Sequence, residues 1–133
     1  MSKRLKKDEL EKLISSLNLN IEDFTLLSSS ALVFRGIMED AGDLDIAVTK
    51  EGFDKLSKQF DLKEKGNGFY IVNDRIECII DDKKDIKEFI NGYYVQEIHN
   101  YLEYLESSSR EKDKLRIPMV LDYINNKEWK NEK

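Results

Sequence analysis

The chain has 133 residues, near the commonest domain size, and its 40% hydrophobic and 10% aromatic content is too apolar for a disordered chain. A formal charge of -5 argues against a surface that tracks nucleic acid along its whole length, while leaving room for a focused basic site. Cys78 is the only cysteine, which excludes an intrachain disulfide and a thiolate zinc site and points to a reducing, cytoplasmic compartment.

The first segment, MSKRLKKDELEKLI, turns from basic to acidic without the apolar core of a secretory signal, and no later stretch is long and apolar enough to span a membrane. Leu5, Leu10, Leu13, Ile14 and Leu17 recur at helical spacing and predict an amphipathic helix ending near Asn18 to Asn20. Phe24 to Ser28 reads as a short strand, and the serines that follow suit the cap of a helix closed by Gly36. Asp43 to Thr49 alternates and then turns fully apolar, as a strand does on entering a core.

Phe53, Leu56 and Phe60 predict a helix over Glu51 to Phe60, and the β-rich runs Phe69 to Val72 and Arg75 to Ile80 predict a hairpin turning at Asn73-Asp74. Lys84 to Asn91 reads as a charged helix or a loop, Tyr93 to Val95 as a short strand, and Ile98 to Leu105 and Asp113 to Ile124 as helices. No linker or repeat divides the chain, so 1–133 is expected to be one domain, with a core of about 21–95 and C-terminal helices over about 97–127. The element order predicts an α+β fold: a small mixed β-sheet with flanking helices and a helical C-terminus.

Asp43 and Asp45 lie two apart on a predicted strand, so their side chains leave the same face as a pair of oxygen ligands. Magnesium favours such ligands and keeps positions for substrate phosphates, whereas the same triplet on a solvated strand edge has no function. A calcium loop of the EF-hand kind is excluded, because Ala47 and Val48 stand where it needs an oxygen ligand and a glycine. Glu77 is the single charge within the apolar run Arg75 to Ile80, and its side chain points opposite to Ile76 and Cys78, toward a site or toward solvent. Cys78 falls on the inward alternation and reads as core, and His99, the only histidine, has no partner that the sequence identifies.

The stretch Leu26-Leu-Ser-Ser-Ser-Ala-Leu-Val-Phe-Arg-Gly36, followed by Gly42-Asp-Leu-Asp-Ile-Ala-Val48, resembles the signature of the nucleotidyltransferase superfamily related to DNA polymerase beta. The likeness is to small bacterial and phage members, including those related to abortive-infection toxins. It implies a nucleotidyltransferase-like fold and a metal-dependent enzyme that moves a nucleoside monophosphate from a nucleoside triphosphate to a hydroxyl on a small molecule, a tRNA or a protein. Two magnesium ions, with manganese as the alternative, would be held by Asp43, Asp45 and Glu77, the last also taking the acceptor proton.

By the same resemblance Ser28 and Ser29 would hold the outer phosphates at a helix start, where N–H groups and the helix dipole favour an anion. Ser109-Arg-Glu-Lys-Asp113 resembles the family's Arg-x-Lys-Asp segment, so Arg110 and Lys112 would meet the triphosphate with Asp113 orienting them. Arg35 would either reach the phosphates or pair with Glu39 or Asp40. The chain departs from the pattern at Ser28, where relatives have a glycine, and at Leu105 and Arg116, where they have a lysine and an aspartate. The alternative is therefore a catalytically inactive nucleotidyltransferase-fold binding module, such as a toxin–antitoxin or phage component. In either case specificity would come from the helical end, a protein partner or a homodimer.

Overall fold

The computed structural model describes residues 4–81 and 87–131, with side chains through 126. It divides into two compact units, Met1–Gln96 and Glu97–Lys133. The first unit contains β1 (Leu5–Lys6), α1 (Lys7–Ser16), a 3-10 turn (Ile21–Asp23), β2 (Phe24–Leu26), α2 (Ser28–Phe34), β3 (Asp40–Ala41) and β4 (Leu44–Val48). It continues with α3 (Lys50–Gln59), β5 (Lys63–Gly66), β6 (Phe69–Asn73), β7 (Ile76–Ile80), β8 (Lys87–Ile90) and β9 (Tyr93–Gln96).

Seven strands form one mixed sheet in the order β5-β6-β7-β4-β2-β9-β8. Its centre is β4, antiparallel to β2 and parallel to β7. The period of two divides the side chains between two faces. Phe24, Leu26, Leu44, Ile46, Val48, Ile76, Cys78 and Val95 are buried on one face with Leu10, Ile14 and Leu17 of α1, Val33 and Phe34 of α2, and Leu56 of α3. Withdrawing each of the larger of these side chains from water contributes about 1.5–3 kcal/mol, which is what fixes α1, α2 and α3 on this side. The same alternation sends Thr25, Asp45, Ala47, Glu77, Ile79 and Tyr94 to the other face.

Local chemistry sets the boundaries. Asn18 turns left-handed at φ 54 to end α1, and Gly36 at φ 81 ends α2. The Thr49 hydroxyl caps α3, accepting from the Gly52 N–H at 3.0 Å. The α+β class, the mixed sheet with flanking helices and the helical C-terminus all agree with the sequence expectation.

Several details differ. Leu5 does not open α1 but pairs with Ala41 in a two-residue ladder. No serine caps α2; its N-cap is Leu27, which offers no side-chain acceptor. The expected helix or loop at Lys84 to Asn91 contains β8 over Lys87–Ile90, while residues 84–86 lie outside the described residues. The strand arises because Asn91 and Gly92 both take positive φ, closing a two-residue hairpin into β9. An equivalent Asn67-Gly68 turn joins β6 to β5, a strand absent from the sequence reading.

The second unit consists of α4 (Ile98–Ser107) and α5 (Glu111–Asn131), which pack on each other. The Glu97 side chain caps α4 by accepting from the His99 and Asn100 N–H groups, and it also lies 2.9 Å from His99 Nδ1. That carboxylate is the partner the sequence could not identify for His99. Among the described residues, no helix is long and apolar enough to cross a membrane.

Candidate active site on the acidic sheet face

β4 and β7 run parallel in a register that sets Asp45 beside Glu77 and Ala47 beside Ile79. Adjacent strands lie about 4.8 Å apart, so the two carboxylates rise as neighbours from the face opposite the three helices. Asp43 stands just before β4, exposed, in the turn that leads into the strand.

Ser30, on α2, fixes that turn. Its fully buried hydroxyl donates to the Asp43 carbonyl oxygen at 2.9 Å and accepts from the Asp45 N–H at 3.1 Å. One side chain thus ties the helix to the backbone on either side of Leu44. The sequence reading treated Ser30 only as part of a capping run; its spacing of 13 and 15 residues from the acidic pair carries no local signal.

Arg75, the residue before β7, braces the same turn. Its Nη2 donates to the Gly42 carbonyl oxygen at 2.7 Å, its own carbonyl accepts from the Leu44 N–H at 2.8 Å, and its Nε stands 3.8 Å from the Asp43 carboxylate. Lys65 of β5 reaches across β6 and donates to Glu77 Oε2 at 2.7 Å. The accepting Glu77 carboxylate, with Asp45 and Asp43 adding through space, holds the Lys65 ammonium above the ordinary lysine range.

The donor set is therefore all oxygen and suits magnesium or manganese in kind. Among the described residues, no three acidic, histidine or cysteine side chains converge as a ready ligand group. Glu77 pairs with Lys65, and Asp43 lies near Arg75.

Ser28 takes φ 52, a left-handed conformation that favours glycine, and its N–H points to Gln96 Oε1 at 3.4 Å. The serine thus accepts a backbone strain of order 1 kcal/mol and still makes the turn. Ser29 is buried in the first turn of α2.

Arg35 is placed differently from either reading of it. Its buried guanidinium donates through Nη2 to Glu88 Oε1 at 2.8 Å and to the Gln96 carbonyl oxygen at 2.9 Å. Glu88 sits opposite Val95 on the helix-covered face, so Arg35 braces α2 against β8 and β9 on the side away from Asp45. Asp40, one of its expected partners, pairs with Arg4 instead.

A cavity of about 630 Å³ is lined by Thr25, Ala47 and Tyr94 of the sheet together with Phe24 and Thr49; Asp43, Asp45 and Glu77 are not among its lining residues. Lys50 and Lys87 stand among its walls with Glu22, Glu51 and Asp81. Thr25 and Ala47 are cross-strand partners, and Ala47 follows Asp45 on the same face of β4. That volume is in the range of small-molecule sites.

Within the second unit Asp113 is fully buried, accepting from Arg110 Nε at 2.8 Å, Arg110 Nη2 at 3.1 Å and the Ser108 hydroxyl at 2.7 Å. The Arg110 hydrogen bonds, reinforced by that of Ser108, outweigh burial and hold the Asp113 carboxyl below the usual aspartate range. Lys112 is exposed, and Leu105 is a fully buried core position of α4. Arg116 donates to the Tyr101 hydroxyl at 3.0 Å.

No protein-family profile matches the chain, and no curated protein matches it either.

Proposed function

We propose that the chain is a metal-dependent nucleotidyltransferase that moves a nucleoside monophosphate from a nucleoside triphosphate to a hydroxyl acceptor. The observation that carries this reading is the Asp45–Glu77 pair, in register on adjacent parallel strands of one sheet face, with Asp43 in the turn that Ser30 ties to α2. Asp43, Asp45 and Glu77 would hold two magnesium ions, or manganese in their place. Such ions supply Lewis-acid stabilisation of the charge that builds up as pyrophosphate departs. The Glu77 carboxylate accepts the proton of the attacking hydroxyl, which needs a base within hydrogen-bond reach. The cavity that begins at Ala47, two residues beyond Asp45 on β4, has the size for a nucleoside or a small acceptor.

The test incubates the chain with each of the four α-labelled ribonucleoside triphosphates, magnesium and a cell extract, and follows label into small molecules, RNA and protein. Transfer that disappears in Asp45→Asn is the expected result. Calorimetric titration of nucleotide with magnesium runs beside it. Nucleotide binding without transfer indicates the inactive binding module, and binding that Asp45→Asn leaves unchanged refutes the metal site.

A further inference from the structure

We propose that Lys65 is a built-in counter-ion of the acidic site, which holds Glu77 in the resting chain and must release it before a divalent cation can bind. This rests on the metal-dependent reading above and adds a competitor for the same carboxylate.

The geometry is specific to Lys65. Lys63 of β5 pairs with Ile71 of β6, which pairs with Glu77 of β7, while Lys65 stands at the register shift between Glu64 and Gly66. Only Lys65 closes on Glu77, at 2.7 Å, and it does so by extending over an intervening strand. Its side chain is 53% exposed, so it has water available when it lets go. An ammonium and a dication cannot both sit against one carboxylate without mutual repulsion, so the two exclude each other. The charges agree with an exchange. Asp43, Asp45 and Glu77 carry three negative charges against the positive charges of Lys65 and Arg75. The first dication to bind makes the cluster neutral if it takes the place of Lys65 and leaves it positive if it is added beside Lys65.

Exposed ion pairs are individually weak, so the competition is modest in size, roughly 1.5- to 5-fold in metal affinity. The probe is manganese alone, with free ion read by electron paramagnetic resonance at fixed ionic strength and circular dichroism confirming the fold of each variant. Lys65→Met should tighten manganese binding by about that factor, Glu77→Gln should weaken it, and Lys65→Met should lose its effect when combined with Glu77→Gln. Lys63→Met, which removes an equal charge from the same strand, should change binding less than Lys65→Met. Equal tightening by the two lysine variants, or none by Lys65→Met while Asp45→Asn abolishes binding, overturns the counter-ion alone. Manganese binding that Asp45→Asn leaves intact overturns the metal site and the counter-ion with it.

Discussion

Replacing Ser30 by alanine tests whether one hydroxyl holds the acidic turn in place. Ser30→Ala removes two hydrogen bonds at a fully buried position, one to the Asp43 carbonyl oxygen and one from the Asp45 N–H. Each contributes about 1 kcal/mol net, and a backbone group left without its partner away from water adds to the loss, giving about 2–3 kcal/mol in all. That corresponds to a roughly 30- to 150-fold rise in the population of the opened state. Cys78 provides the readout, because it lies on β7 in register with Ile46 of β4. Its thiol is fully buried and burial pushes its pKa up to about 11, so it reacts with a disulfide reagent only when the strands part. When reclosing outpaces reaction, the labelling rate follows the open population and should rise by the same factor in Ser30→Ala. Ser57→Ala, which removes an exposed hydroxyl bonded within α3, serves as the control and should label like the parent chain. Labelling of Ser30→Ala within about twofold of the parent would show that the turn is held by something else, since the difference is then below 0.5 kcal/mol.

Two further changes probe the supports of each unit. Gly52→Ala places a methyl group 2.7 Å from the Asp23 carbonyl oxygen and 3.2 Å from its Cβ, so it should destabilise the first unit by about 1–3 kcal/mol although alanine is the better helix former; a raised urea midpoint would contradict the close approach. In the second unit the Asp113 carboxyl titrates lower in the folded chain than in the unfolded one, so its contribution is fully present above the unfolded pKa of ~3.9 and is lost as pH falls through the folded value. Asp113→Asn should therefore cost about 1–3 kcal/mol at neutral pH, with the gap to the parent chain closing only below about pH 4; a gap unchanged down to about pH 2 would refute the assignment.

The parts of the fold legible in the sequence are those whose side chains alternate between water and core. β4 and β7 stand out because Leu44, Ile46 and Val48, and then Ile76 and Cys78, mark the buried face unambiguously. β5 has no such mark, since Lys63 to Gly66 are all exposed and the strand is held by backbone hydrogen bonds, its turn and the Lys65–Glu77 ion pair. β8 was obscured in the same way, with Glu88 facing the helices because Arg35 meets it there. Asn67-Gly68 and Asn91-Gly92 were the available signals for both, as Asn-Gly is the preferred pair for a two-residue hairpin. For the site, the sequence suggested the three acids but not their company. Ser30, Arg75 and Lys65 act through register and through reach across strands, and neither has a local spacing to detect.

The order of the sheet also separates what stays from what moves. β4 is hydrogen-bonded along both edges, to β2 and β7, whereas β5 is a terminal strand and has only β6 beside it. Terminal strands open at a lower free energy than central ones, so amide hydrogens of β5 should exchange with solvent well before those of β4. Lys65 therefore rides on a strand paired on one edge, and Asp45 on one paired on both. The site can change its positive charge at the margin while the backbone beneath Asp45 stays paired on both edges.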